Sequence, residues 1–229
     1  MAHTAKKSKP GPRRKQALPA PASDRRSRRQ TETRERLFRA ALKLFGERGF
    51  FETTVEQITD AADVGKGTFF NYFPTKEHVL AAFGELQMSK IEAAIHEART
   101  TETPFPILFR RMVDALMHEP ARSAAFLRSV IIANLSSESV RQHLCGKMGH
   151  GRQKLAEFLT IGQQRGDVRR DVEAPELARA VQEGFFGAML LWCMNDGSEL
   201  QSWYQPLFRL LWSGLEGRAD QGGSPSKES

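Results

Sequence analysis

Residues 53–80 read TTVEQITDAADVGKGTFFNYFPTKEHVL. This stretch predicts two short helices, over about 55–61 and 65–72, because each is bounded by residues that open or end a helix. Asp63 lies between them and is typical of a tight turn, since Asp tolerates left-handed backbone better than most residues. Two short helices joined by such a turn, with a third helix packed behind them, form a helix-turn-helix unit.

The third helix of this unit precedes the quoted stretch and is predicted over about residues 31–48. Its apolar side chains recur on one face at helical spacing. That face consists of Leu37, Ala41, Leu44 and Phe45. The helix that follows opens with one of two capping boxes. Thr53 has Glu56 three residues later, and Thr54 has Gln57 at the same spacing, so either pair fits.

The second helix of a helix-turn-helix enters the major groove, and its first residues contact base edges. Lys66 suits this position because its ammonium can reach guanine acceptors or a phosphate. Thr68 suits either a phosphate or a thymine methyl group. Glycines on both sides of Lys66 let the backbone approach the duplex closely. Phe69 and Phe73 are four residues apart and are expected to anchor this helix inward.

The rest of the chain also reads as helical, because no stretch shows sustained alternation of apolar and polar residues. The fold class predicted is therefore all-α. Further helices are expected over about 76–99, 105–118, 121–135, 138–165, 175–195 and 200–216. Pro206 either occupies the first turn of the last helix or lies inside a helix that starts near Leu200.

Positive charge is concentrated at the N-terminus of the 229-residue chain. The formal net charge is +7, of which residues 1–29 carry +9, so the remainder carries −2. Residues 1–29 also contain four prolines and few large apolar side chains, which predicts a disordered basic arm. Such an arm attracts polyphosphate through counterion release, or it serves solubility alone.

Several classes of protein are disfavoured by the sequence. No apolar run is long enough to cross a bilayer, and no signal-peptide pattern follows the basic N-terminus. Two cysteines, Cys145 and Cys193, fit a reducing compartment. The six histidines are scattered, and no metalloprotease, nucleophile-elbow or phosphate-loop motif is present. We therefore expect no enzyme activity, no metal and no cofactor.

The run 53–80, preceded by RERLFRAALKLFGERGFFETT, resembles the DNA-binding domain of the TetR family of bacterial transcriptional regulators. The resemblance covers about residues 33–80. Asp63 stands where Gly is usual in the family, and Gly65 stands where Ser is usual. The family's DNA contacts, carried over to the matching positions, are Thr54, Lys66, Gly67, Thr68, Phe70, Asn71, Tyr72 and Lys76. Phe70 replaces a Tyr of many relatives and so lacks its hydroxyl.

The resemblance also implies how the chain is divided. A helix-turn-helix domain would span residues 30–75, and a helical ligand-binding and dimerisation domain would span 76–216. Residues 217–229 are expected to be a disordered tail. Candidates for the ligand pocket are Phe109, Met112, Phe126, Met148, Met189 and Trp192. Candidates for the dimer interface are Phe185, Phe186, Leu190, Leu207, Phe208 and Leu211.

The predicted function is that of a ligand-responsive repressor. A homodimer would bind a palindromic double-stranded operator and be released by an unknown, mostly apolar small molecule. Such a protein is expected in the cytoplasm, on the nucleoid when bound to DNA. One alternative is a helix-turn-helix protein controlled by a protein partner, or one without a small ligand. A more remote alternative is an all-helical enzyme.

Overall fold

A computed structural model describes residues 22–195 and 199–217, and this part of the chain is all-α. The helices are α1 (Ala22–Arg48), α2 (Val55–Ala61), α3 (Lys66–Tyr72), α4 (Lys76–Thr100), α5 (Phe105–His118), α6 (Ala124–Ser136), α7 (Glu138–Arg165), α8 (Ala174–Met194) and α9 (Leu200–Leu215). Most of these bounds lie within a residue or two of those predicted. Pro206 lies inside α9, which starts at Leu200.

The predicted helix over 121–135 is divided in the structure. A short 3₁₀ turn, Pro120–Arg122, comes first, and α6 starts after Ser123. The Ser123 hydroxyl oxygen accepts a hydrogen bond from the backbone N–H of Phe126 at 3.0 Å. This N-cap satisfies one of the free donors at the start of α6 and fixes where the helix begins.

Helix α1 starts earlier than predicted. It begins at Ala22 rather than near residue 31, so the prediction of disorder is wrong for residues 22–29. This segment has no apolar stripe, and it is stabilised instead by continuity with the anchored part of α1 and by local pairs such as Arg28 with Glu32, at 2.9 Å. The rest of the basic arm, residues 1–21, and most of the predicted C-terminal tail, residues 218–229, lie outside the described residues.

Helices α1 to α4 share a core of large, fully buried side chains. It is built on the predicted face of α1 together with α2, α3 and the start of α4. Its largest fully buried side chains are Leu37, Phe45, Ile58, Phe69, Phe73 and Leu80. Because a side chain from each of the four helices meets here, this core fixes the orientation of α3.

Helices α4 to α9 enclose a second core that contains a group of packed aromatic rings. Phe105 stacks on Phe158 with ring centroids 4.5 Å apart, and Phe109 stacks on Phe208 at 5.4 Å. Gly162 of α7 makes this packing possible, because a Cβ there would lie 2.7 Å from the ring of Phe105. The ring of Phe105 can therefore lie against α7 only because there is no side chain at this position.

Helices α6 and α7 also contribute side chains to the first core, among them Phe126 and Val140. Two further contacts join the helices around the two cores. In the first, α1 packs against α6 at Gly46, where a Cβ would lie 2.9 Å from the Ser123 hydroxyl oxygen. In the second, Lys90 of α4 donates to the carbonyl of Ala115 at 2.7 Å and forms an ion pair with Glu119. Helix α4 is thus fastened to the end of α5, and its side chains enter both cores.

Within the described ranges, no helix has the length and apolar character needed to cross a membrane. The same residues contain no group of three or more side chains suited to holding a metal ion.

Candidate nucleic-acid interface and effector domain

The capping box of α2 is formed by Thr54 and Gln57. The Thr54 hydroxyl oxygen accepts from the backbone N–H of Gln57 at 3.2 Å, and the Gln57 side-chain oxygen accepts from the backbone N–H of Thr54 at 3.1 Å. Thr53 is buried instead, and its hydroxyl donates to the carbonyl of Gly49 at 2.7 Å. The structure therefore decides between the two pairs that the sequence allowed, and it leaves Thr54 exposed.

The turn between α2 and α3 has the backbone that the sequence predicts. Asp63 adopts a φ of 53°, and among the described residues other than glycine it is the one with a positive φ. The backbone N–H of Val64 donates to the carbonyl of Thr59 at 3.0 Å, which closes the turn. Phe69 and Phe73 are both buried, as predicted, with ring centroids 5.7 Å apart.

The opposite face of α3 is open to solvent. Lys66, Gly67, Phe70 and Asn71 are exposed, whereas Thr68 and Tyr72 are half-buried. Phe70 is a large apolar side chain that is 46% exposed, and it packs edge-on against Phe69 at 5.5 Å. The exposed residues form one surface on α3, which presents a cation, an amide and an aromatic ring to solvent.

Glu56 lies beside this surface, and the sequence predicted for it only a possible capping role. Its carboxylate in the first turn of α2 forms an ion pair and a hydrogen bond with the Lys66 ammonium, and both side chains are 57% exposed. The hydrogen bond from Lys66 holds the pKa of the Glu56 carboxyl below its usual value. The sequence did carry a signal for this pair, because Glu56 and Lys66 have opposite charges on the two helices of the same motif.

Lys76, predicted as a phosphate contact, makes several contacts within the chain. Its ammonium donates to the carbonyls of Phe50, Phe51 and Thr53 at 2.8, 3.3 and 2.7 Å. It also lies 4.7 Å from the centroid of the Phe50 ring. Partial burial lowers the pKa of this amine. All three of its protons are used to bind the α1–α2 turn to the start of α4.

An apolar surface runs along α8 and α9, and it is defined here as the α8–α9 face. Phe186 and Leu190 are exposed, as expected for a dimer interface, and Leu207 and Leu211 are half-buried. The face also includes three exposed apolar residues that were not predicted from the sequence, namely Leu191, Met194 and Leu210. Phe185 and Phe208 differ from the prediction, because they are 5% and 7% exposed and belong to the core of their own chain.

The predicted pocket residues do not form one group. Phe109, Met112 and Trp192 are buried in the second core, and Met189 packs against it. Met148 is half-buried on α7. Phe126 belongs to the core of the helix-turn-helix, where its ring lies 5.4 Å from that of Phe83. Phe126 thus lies in a different core from Phe109, because α6 turns its side chain toward α1 and α4; its contact with a ligand stays a prediction.

These features define a class of protein, an all-helical protein with an N-terminal DNA-binding helix-turn-helix. Residues 37–83 match the family described as bacterial regulatory proteins, tetR family. The chain is 26% identical over 160 residues to the transcriptional regulator AcuR of Cereibacter sphaeroides, covering 67% of this chain and 73% of that protein. Residues 37–83 therefore form a DNA-binding domain of the TetR family of bacterial transcriptional regulators, whose members bind operator DNA as dimers and respond to small molecules.

Solved structures support the same fold. FadR of Thermus thermophilus, a transcriptional repressor in complex with lauroyl-CoA, matches with a TM-score of 0.58 and 28% identity, covering 86% of this chain and all of that one. FadR of Bacillus subtilis, in complex with stearoyl-CoA, matches with a TM-score of 0.62 and 22% identity, over 80% of this chain and 99% of that chain. The relatives named here are regulators and not enzymes.

Proposed function

We propose that this chain is a repressor that binds a palindromic operator as a homodimer and leaves it when an amphipathic, mostly apolar effector enters the second core. The observation that carries the proposal is the exposed surface of α3, with Lys66, Gly67, Phe70 and Asn71 presented by a helix whose inner face is fully anchored. A regulator of bacterial transcription acts on the chromosome, so we place it in the cytoplasm.

The homodimer is supported by the α8–α9 face. Leu210 is 71% exposed and Met194 is 69% exposed, which is costly for large apolar side chains unless a partner covers them. Two-fold pairing through this face uses the same patch twice, as closed dimers do. It would present two copies of α3 to successive turns of the major groove, about 34–36 Å apart.

The effector class is suggested by the second core and by the structural relatives. The core holds several stacked aromatic rings, and α4, which enters it, also begins directly after α3. Two FadR proteins of the same fold bind acyl-CoA thioesters, which combine a long apolar chain with a charged head. Such a chain would have to separate the packed helices, and tilting of α4 would then change the spacing of the two α3 helices.

The DNA-binding step is tested by fluorescence anisotropy on the inverted repeat upstream of the gene. Lys66→Ala is expected to weaken binding by about 1–3 kcal/mol, the range for a lost base contact. The matched control is Arg99→Ala, which removes a cation about 35 Å along α4 from the start of that helix and should leave affinity unchanged. Equal effects of the two substitutions would contradict the assignment of α3.

The effector step is tested with lauroyl-CoA as the probe and free CoA as the control. We expect lauroyl-CoA to raise the melting temperature and to release the operator, because a ligand that binds one state shifts the population toward it. Release by neither compound, together with no thermal shift, would reject the acyl thioester class. Release by a protein fraction alone would favour control by a protein partner.

A further inference from the structure

The ion pair between Glu56 and Lys66 places a carboxylate where DNA is expected to bind. Lys66 is the first residue of α3, the position from which a recognition helix reaches base edges. Glu56 meets it from α2, so the carboxylate shares the exposed surface with the ammonium. A carboxylate in this position is repelled by phosphates of every sequence. Such a group favours binding only where it meets a hydrogen-bond donor.

The hydrogen-bond donors of the major groove limit which bases the Glu56 carboxylate can contact. A carboxylate accepts from the N4 amino group of cytosine, whereas guanine presents acceptors that suit Lys. A neighbouring Lys and Glu are therefore complementary to the two bases of a G·C pair, or to adjacent C and G. Glycines on both sides of Lys66 have open space around them, so no side chain blocks the approach of the duplex.

We propose that Glu56 is a specificity-determining residue of the DNA-binding surface. Away from the operator, its carboxylate pairs with the Lys66 ammonium. On the operator, Lys66 binds a guanine or phosphate acceptor, and Glu56 accepts from a cytosine amino group. On other DNA, Lys66 stays paired with Glu56 and the carboxylate is repelled, so binding is weakened. This inference rests on the proposed function, because it requires α3 to lie in the major groove.

The test compares Glu56→Gln with Asp60→Asn, which removes the same charge further along α2. Both variants are titrated by anisotropy against the operator and a scrambled duplex at several salt concentrations. For Glu56→Gln we expect about two- to fivefold tighter binding to the scrambled duplex, the range for an exposed ion pair. The salt slope on that duplex should steepen by about 0.9, because Lys66 becomes free to bind phosphate. Operator affinity should not increase, so discrimination falls.

Asp60→Asn should change binding to both duplexes by the same factor. The inference is overturned if Glu56→Gln also changes both duplexes equally, because its carboxylate then acts only as a general negative charge. A scan of single base-pair substitutions gives a second readout. The native protein should prefer G·C at one symmetric position of each half-site, and Glu56→Gln should relax that position alone. If Glu56→Gln has the same base preference as the native protein at every position, the inference is also overturned.

Failure of the proposed function looks different from failure of this inference. If α3 does not read DNA, the native protein fails to distinguish the operator from the scrambled duplex. If only the role of Glu56 is wrong, the native protein distinguishes the two duplexes and Glu56→Gln distinguishes them equally well.

Discussion

Replacing Lys76 with Met separates a structural lysine from a DNA-binding one. Met keeps an apolar stem of similar length and removes the ammonium that donates to three carbonyls at 2.7 to 3.3 Å. A hydrogen bond from a charged group contributes about 1.5–3 kcal/mol, and the contact with the Phe50 ring adds about 0.5–1 kcal/mol. The carbonyl of Phe51 is exposed, so water can replace part of this loss.

We therefore expect Lys76→Met to lower the free energy of unfolding by about 2–4 kcal/mol. That loss corresponds to a melting temperature about 4–16 °C lower for a chain of this size. Operator affinity should also fall, because the α1–α2 turn carries Thr54. The slope of log K against log salt should stay the same, since no phosphate contact is lost.

The matched variant is Lys66→Met. Its ion pair with Glu56 is exposed, so the stability loss should be below about 1 kcal/mol. Its salt slope on the operator should become shallower by about 0.9. The two variants are measured by calorimetry and by anisotropy at several salt concentrations. The interpretation is refuted if Lys76→Met reduces the salt slope by that amount while stability is unchanged.

Three further predictions follow from the packing. Gly162→Ala should destabilise the protein by about 1–3 kcal/mol through overpacking against Phe105, whereas Gly146→Ala on the same helix, where a Cβ meets open space, should stabilise it by up to about 1 kcal/mol. Urea unfolding measures the stability of both variants. A loss of stability in both would show that overpacking against Phe105 is not the reason for glycine at position 162. Leu210→Glu on the α8–α9 face should yield monomers by sedimentation, whereas Leu135→Glu on α6 should remain dimeric; a dimer in both cases would place the interface elsewhere. Burial raises the pKa of Tyr204 to about 12, so the folded state holds its proton more tightly and this contribution to stability is lost as pH rises from 10 to 12. Tyr204→Phe should therefore show a weaker loss of stability over that range, and an unchanged profile would contradict the predicted shift.

The sequence predicted helices best where their ends carry chemical signals. Asp63 shows this well, because a left-handed backbone is a local property. The choice between Thr53 and Thr54 as the cap, and the position of Pro206 inside α9, were left open by the sequence and are decided by the structure. Helix α7 is continuous from Glu138 to Arg165 despite three glycines near its middle, since packing against α4 and α8 compensates for their low helix propensity. The start of α1 was missed because residues 22–30 carry no apolar periodicity.

The site was predicted less completely because it depends on contacts between distant residues. The family pattern identified Lys76 as a cation near DNA, but its partners are backbone carbonyls that no side-chain pattern reveals. Core, pocket and dimer residues share the same apolar spacing in sequence. Phe185 and Phe186 are neighbours, yet one is buried in its own chain and the other is exposed. Only the packing of α8 distinguishes them.

The central claim, that the start of α3 lies in the major groove in two symmetric copies, can be measured by affinity cleavage. Gly67→Cys places a thiol where a Cβ meets open space, and an iron chelate attached to it cleaves nearby DNA. Cys145 is exposed and is replaced by Ser, whereas Cys193 is buried, which raises the pKa of its thiol and leaves it unreactive.

We predict two cleavage centres on the operator, about 10–10.5 base pairs or a multiple of that distance apart. The native chain labelled at Cys145 should give no such pair of centres. If the chelate at position 67 does not cleave the operator, or cleaves it no more strongly than the chelate at position 145, α3 does not lie in the major groove as claimed.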